Sequence, residues 1–542
     1  MKNIFLRISF AMIALLALSL ALQAQTRGET FAITNAQIVT VSSVNIAKGT
    51  IVIRDGLIEA VGENVKIPAD ARIIDATGLT VYPGLFDTYT NLGLQVRTPQ
   101  QQQQLQAAQI QSNSNYPDGL RPEDSVVTQL KAGEAQFENN RNAGFTTVLT
   151  VSRDGVFNGK SAIINLAGNA VSEMIVNAEF AQHFTFTTLR TGAYPTSLMG
   201  TFSALRQMLL DAKRLEIIQK NYEKNPRGLK RPETDASLEA LIPIANGTMP
   251  IVFNANSEIE IIRALDLAKE FNLKAIIAGG IEAWKVAERL KKQDVPVLLS
   301  LNFPKRTAAA STEADQEPLE LLRLRAETPK GASKLAAAGV KFAFQSGGMT
   351  NLNDFLANAN KAIENGLDKS AAIRAMTLSA AEILDVDNRL GSIEAGKIAN
   401  LTIVRGDIFG KDKVFTHIFI DGKLFEQKEK TKTPTSTVTN SAVANVGGNY
   451  NITIEISGQP TPGTMNLVQQ GAILTGSLQT QSGTTAIKDG KVTAEGFSFS
   501  STAEFGGSTI EIIVNGKVSG NQISGTIDSP QGAVPFSGTK IP

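Results

Sequence analysis

Between residues 82 and 388 the chain alternates short, wholly apolar runs with segments of helical periodicity, and this alternation restricts the fold more than any other feature. Thr146–Val151, Met249–Asn254, Lys274–Ala278, Val295–Ser300 and Val340–Phe344 read as buried strands. Ile259–Phe271, Ala283–Leu290 and Ala371–Leu384 carry apolar residues at helical spacing. Strands alternating with helices make a parallel sheet covered by its own crossovers, so the segment predicts an α/β fold closed as a (β/α)8 barrel. Apolar residues make up 42% of the 542 and charged residues 19%, enough to build such a core.

At the head of this region, Val81-Tyr-Pro-Gly-Leu-Phe-Asp-Thr-Tyr-Thr-Asn-Leu-Gly runs an apolar strand into a Pro-Gly turn and Asp87, and then places Tyr89 and Asn91 one residue apart. The segment resembles the first barrel strand of the amidohydrolase superfamily, metal-dependent hydrolases of carbon–nitrogen and related bonds. In that superfamily two histidines stand where Tyr89 and Asn91 stand here. Arg141-Asn-Ala-Gly-Phe-Thr-Thr-Val resembles the family's entry to an early barrel strand, and Met376-Thr-Leu-Ser-Ala-Ala-Glu-Ile-Leu its last barrel helix. The resemblance spans residues 29 to 426 and is to the imidazolonepropionase-like branch. It implies that residues 25–81 and 389–426, both rich in short strands, pair into one composite β-sandwich beside a barrel of residues 82–388. Asp55-Gly56, between alternating apolar positions, is a hairpin signal within the first of these.

The same resemblance locates a site. One or two divalent ions such as zinc are the family norm, and a metal lowers the pKa of a bound water from about 15.7 to about 7. At the fifth strand, Val252-Phe-Asn-Ala puts Asn254 at or beside a ligand position. The sixth-strand histidine falls within Ile277-Ala-Gly-Gly. On the eighth, Gly339-Val-Lys-Phe-Ala-Phe-Gln-Ser-Gly-Gly puts Gly347 where the family carries the proton-shuttling aspartate. The residue counts agree: two histidines, His183 and His417, lie far apart, and there is no cysteine. Zinc sites draw on His, Cys, Asp and Glu, and both histidines read as structural. The expectation is therefore no metal site and no cofactor. Asp87, Tyr89, Asn91, Asn254, Gln345 and Ser346 remain at the barrel mouth, where neutral amides and a phenol can hold a ligand without cleaving it. The implied partner is a small polar ligand or an active amidohydrolase relative. Two alternatives stand beside this reading: an active C–N hydrolase with an unorthodox metal site that uses Asp87 and acids from the inserts, and a barrel that serves as scaffold for a ligand-binding C-terminal module.

The termini add further expectations. Lys2 and Arg7 precede an apolar run, Ile8–Leu22, closed by Gln-Ala-Gln, the pattern of a secretory signal. Removal of residues 1–24 predicts a periplasmic or secreted protein with no integral membrane segment after cleavage. A net charge of +1 without a basic run argues against nucleic acid as a partner. Asp154-Gly-Val-Phe-Asn-Gly-Lys-Ser lacks the first glycine of a phosphate-binding loop. Three inserts interrupt the alternation: the glutamine-rich stretch 95–111, and residues 222–248 and 304–330. Residues 427–448 turn polar and aperiodic, a linker, and 449–542 carry alternating runs and turn residues that predict a separate small β-barrel or β-sandwich.

Overall fold

A computed structural model describes residues 29–94, 116–117, 119–133, 135–189, 194–305, 317–349, 351–426, 444–456, 459–480, 483–493, 496–505, 508–529 and 532–541. The signal-like segment, the glutamine-rich stretch 95–111, part of the 304–330 insert and most of the linker lie outside the described residues. The chain divides into two compact units, Met1–Glu429 and Lys430–Pro542.

The first unit opens with five strands: β1 (Phe31–Ile38), β2 (Ile46–Arg54), β3 (Leu57–Gly62), β4 (Arg72–Asp75) and β5 (Leu79–Pro83). Asp55 and Gly56 both hold positive φ, 51° and 82°, as a two-residue hairpin between β2 and β3 requires. Ten strands follow: β6 (Leu85–Thr90), β7 (Phe145–Thr150), β8 (Phe157–Lys160), β9 (Ala162–Asn165), β10 (Ile175–Asn177), β11 (Gln182–Thr185), β12 (Ile251–Ala255), β13 (Ala275–Gly279), β14 (Val297–Ser300) and β15 (Phe342–Gln345). The chain then returns with β16 (Leu401–Arg405), β17 (Val414–Ile420) and β18 (Lys423–Glu426).

β16 pairs antiparallel with β5, Leu401 opposite Pro83, so the two ends of this unit share one sheet. The strands of both ends form one eight-stranded hydrogen-bonded sheet, in which β1 holds β2 along one edge and β4 and then β5 along the other. Phe31, Ile33, Ile51, Ile53, Val81, Leu401 and Phe419 fill its core.

The strands β11 to β15 run parallel in register, and β6 runs parallel to β7. One stave departs from the all-parallel expectation. Residues 157–165, β8 and β9 joined through Ser161, run antiparallel between β7 and β11. The connection of residues 151–156 explains this: a parallel return needs a crossover of about a dozen residues or more. Between β15 and β6 the junction is made by side chains. Thr88 Oγ1 donates to Phe344 O at 2.9 Å, and Ser346 N donates to Asp87 Oδ1 at 2.9 Å.

Helices pack on the outer faces. Glu258–Phe271 follows its periodicity, burying Ile261, Ala264, Leu265 and Ala268. Ser257 and Glu260 form a capping box at its start, and Asn272 ends it at φ 56°. Such a cap contributes about 1 kcal/mol. The helix expected over Ala371–Leu384 is broken into Lys369–Ala375 and Leu378–Ile383. The break releases the Met376 carbonyl, which accepts from Phe86 N of β6. The 222–248 insert is the end of one long helix, Leu198–Lys224, and a second, Ala236–Ala245.

A buried polar network holds the composite sheet to the barrel. Asn400 Nδ2 donates to Thr147 Oγ1 (3.1 Å) and Asn165 Oδ1 (2.9 Å), Asn165 Nδ2 donates to Asp421 Oδ1 (2.7 Å), and Asp421 N donates to Asn400 Oδ1 (2.8 Å). Every member is both donor and acceptor, which is what makes a buried polar cluster tolerable.

The second unit holds β19 (Gly448–Ile456), β20 (Gln459–Gln470), β21 (Ile473–Thr480), β22 (Gly483–Ala486), β23 (Lys488–Val492), β24 (Phe497–Phe505), β25 (Ser508–Ser519), β26 (Gln522–Ser529) and β27 (Gly532–Lys540). Each strand pairs antiparallel with the next, except that β21 reaches β23 past β22, and β27 pairs back onto β19. The ring is closed, with β22 and β23, joined through Ile487, together forming one stave between β21 and β24, and closure removes sheet edges. Tyr450, Ile452, Ile454, Met465, Leu467, Phe497, Phe499 and Val514 alternate inward. Val446 is fully buried in this core, so the folded module begins before residue 449.

Candidate functional site at the barrel mouth

The C-terminal ends of the parallel strands bring most of the sequence-predicted residues together, the end at which barrel proteins carry function. Tyr89 sits near the end of β6, Asn254 near the end of β12, and Gln345, Ser346 and Gly347 at the end of β15. Asn254 Nδ2 donates to Tyr89 Oη at 3.5 Å. Asn91 lies beyond β6, half-buried, and forms no side-chain hydrogen bond among the described residues; its carbonyl accepts from Leu94 N.

Asp87 is 1% exposed. Its Oδ1 accepts from Ser346 N and, at 3.4 Å, from Tyr89 N, while Oδ2 has no partner. Burial pushes this carboxyl above the ordinary aspartate range, against the opposing pull of the Ser346 hydrogen bond and the Arg153 charge. Burial likewise raises the Tyr89 phenol. Gln345 Nε2 donates to Leu298 O at 2.9 Å, and its Oε1 has no partner.

Two further residues stand against Tyr89. His183, on β11, faces the Tyr89 ring at 5.7 Å between centroids, and its Nε2 lies 2.9 Å from Ser161 Oγ. Burial pushes its pKa down to about 3, so it is neutral at physiological pH. The aromatic context of His183 was legible in the sequence, but its placement opposite Tyr89 was not. Arg153 follows β7 and lies over the Tyr89 ring, its Cζ 5.5 Å from the centroid. Its position just past a strand end was the available signal. His417 lies on β17 of the composite sheet with Nδ1 3.1 Å from Thr416 Oγ1, away from the mouth. The phosphate-loop-like segment contributes β8, and Lys160 pairs with Glu179 at 3.0 Å.

Comparison with known proteins identifies the class. The sequence model of the amidohydrolase family matches residues 80–425, and the chain belongs to that family. More particularly, it is 33% identical over 126 residues to an enamidase of Eubacterium barkeri, across 22% of this chain and 30% of that protein. It is 31% identical over 123 residues to a dihydroorotase of Geotalea daltonii, across 22% of each. The crystal structure of an amidohydrolase from Thermotoga maritima matches with a TM-score of 0.62 at 25% identity, over 73% of this chain and 100% of that one. The matched segments thus span less than a third of either curated relative.

Family membership corrects one expectation. The residue types pointed to no cofactor, but the chain belongs to a family of metal-dependent hydrolases, so a divalent ion is the cofactor its membership implies. At the strand ends where the resemblance places the family's ligands stand Tyr89, Asn254, Gly279 and Gly347. Gly347 holds φ +62°, and a Cβ there would overlap Ser300 Oγ and come within 3.1 Å of Asn302 Cβ. Gly279, within the sixth-strand ligand segment, holds φ +92°, and a Cβ there would overlap the Asn256 amide. Tyr89 and Asn254 are spent partly on each other. Among the described residues no group of three His, Cys, Asp or Glu is disposed to hold a metal.

Proposed function

We propose that the barrel mouth of this amidohydrolase-family protein is a binding site for a small polar ligand, without the family's hydrolytic chemistry. The observation that supports it is the closure of two ligand positions by Gly279 and Gly347, in backbone conformations that side chains rarely adopt. Beside the Arg153 cation, the groups there are neutral and hydrogen-bonding: Tyr89 and Asn254, 3.5 Å apart, and Ser300 at the end of β14. The protein as a whole is proposed to act outside the cytoplasm after loss of residues 1–24, which the intact mass of the protein recovered from its host would check.

Hydrolysis of amides, cyclic amides and dipeptides should be assayed with the full chain after incubation with zinc, manganese, cobalt or nickel. No ion-dependent turnover is expected. Turnover that a chelator abolishes and the ion restores would overturn the reading.

A second reading is favoured by Asp87. A buried carboxyl with one oxygen unpartnered and a raised pKa has the properties of a general acid, and supports a C–N hydrolase working from an unorthodox site. In that case Asp87→Asn eliminates turnover while leaving the fold intact.

A further inference from the structure

We propose that Arg153 anchors a carboxylate of the ligand held at the barrel mouth, an assignment that rests on the reading of that mouth as a binding site. Arg153 is exposed and, among the described residues, forms no ion pair and donates no hydrogen bond. Asp87 is not its partner, since that carboxylate is buried and turned to Ser346 N and Tyr89 N.

The guanidinium is nevertheless held in place. One support is the face of Tyr89, 5.5 Å from Cζ, an arrangement in which the ring attracts the cation. The other is Gly348, at φ +77°, where a Cβ would come within 3.1 Å of Cζ and displace Nη1. Glycine at 348 thus leaves the space that the guanidinium fills. An arginine packed on a ring and a bare backbone, with its fork of donors unused, is preorganised for an acceptor from outside.

The surroundings narrow the ligand. A planar fork with one positive charge matches a carboxylate bidentately. A phosphate dianion would leave a second negative charge uncompensated close to Asp87. Asn254 and Tyr89, 3.5 Å apart, offer an amide and a phenol to a neighbouring polar group. The class is a small monocarboxylate carrying an amide or hydroxyl, as in an N-acylated amino acid.

The test uses the full chain and three probes, N-acetylglycine, its neutral analogue N-acetylglycinamide, and inorganic phosphate, with binding measured by calorimetry or ligand-observed NMR. Wild type is expected to prefer the acid. Arg153→Ala should weaken acid binding on the order of ten-fold or more, the loss expected for hydrogen bonds to a charged group, and leave the amide unchanged. Arg153→Lys should recover part of the loss, having the charge without the fork. Equal affinity for acid and amide, unchanged acid binding in Arg153→Ala, stronger binding of phosphate than of acid, or no acid binding by wild type would each overturn the assignment. Release of acetate and glycine during the titration would overturn the non-catalytic reading and leave the role of Arg153 standing.

Discussion

Gly347→Ala tests the closure of the eighth-strand position directly. At φ +62° a residue with a Cβ is disfavoured by about 1–2 kcal/mol. The new methyl also overlaps Ser300 Oγ, which now accepts from Asn302 N at 3.1 Å. Rotating Ser300 away breaks that bond, a further loss of about 1 kcal/mol. Together these predict destabilisation of about 2–3 kcal/mol, measured by urea denaturation of the first unit's transition in the full chain. Ser300→Ala removes the overlapping oxygen, so in that background Gly347→Ala should cost about 1 kcal/mol less. Gly347→Asp, which restores the family's residue, is expected to destabilise as well and to gain no activity. A Gly347→Ala variant within about 0.5 kcal/mol of wild type, the ordinary range for a harmless surface change, would show that the position has room for a side chain and refute the closure argument.

Three other outcomes follow from the same structure. Asp87 holds its proton more tightly folded than unfolded, so unfolding releases a proton above about pH 3.8 and stability falls as pH rises towards the raised folded value; Asp87→Asn should flatten that slope, and a variant clearly less stable than wild type at pH 7 would mean that the charged carboxylate is favoured instead. His183 is held neutral, down to about 3 against an ordinary 6.5, so its contribution is complete above pH 6.5 and lost as pH falls towards 3; His183→Asn should reduce acid sensitivity across that window in a pH-titrated melt, and an unchanged profile would contradict its burial. A fragment from residue 444 should fold alone, because Val446 and the closed ring supply a complete core, whereas one starting at 449 should be less stable; equal melting temperatures for the two would remove Val446 from that core.

Local chemistry was legible before the fold. Each of the five runs read as strands became a strand, because an apolar stretch bounded by turn residues can be buried in few other ways. Asp55-Gly56 became its hairpin, since few pairs accept two successive positive φ values. Pro-Gly-Leu-Phe-Asp led to the strand that carries Tyr89. The antiparallel stave was not legible: Asp154–Ser161 read only as a stretch like a phosphate-binding loop without its first glycine, and the short connection after β7 and the neighbours on both sides set the direction of residues 157–165. Nor was the meeting of Tyr89 with His183 and Arg153, which come from two strands and from the loop after a third and converge only once the barrel is formed. Sequence determines which side chains a strand can offer. Which of them meet, and whether Gly347 has room for a carboxylate, depends on atoms distant in the chain, such as Ser300 Oγ, that packing alone brings within reach.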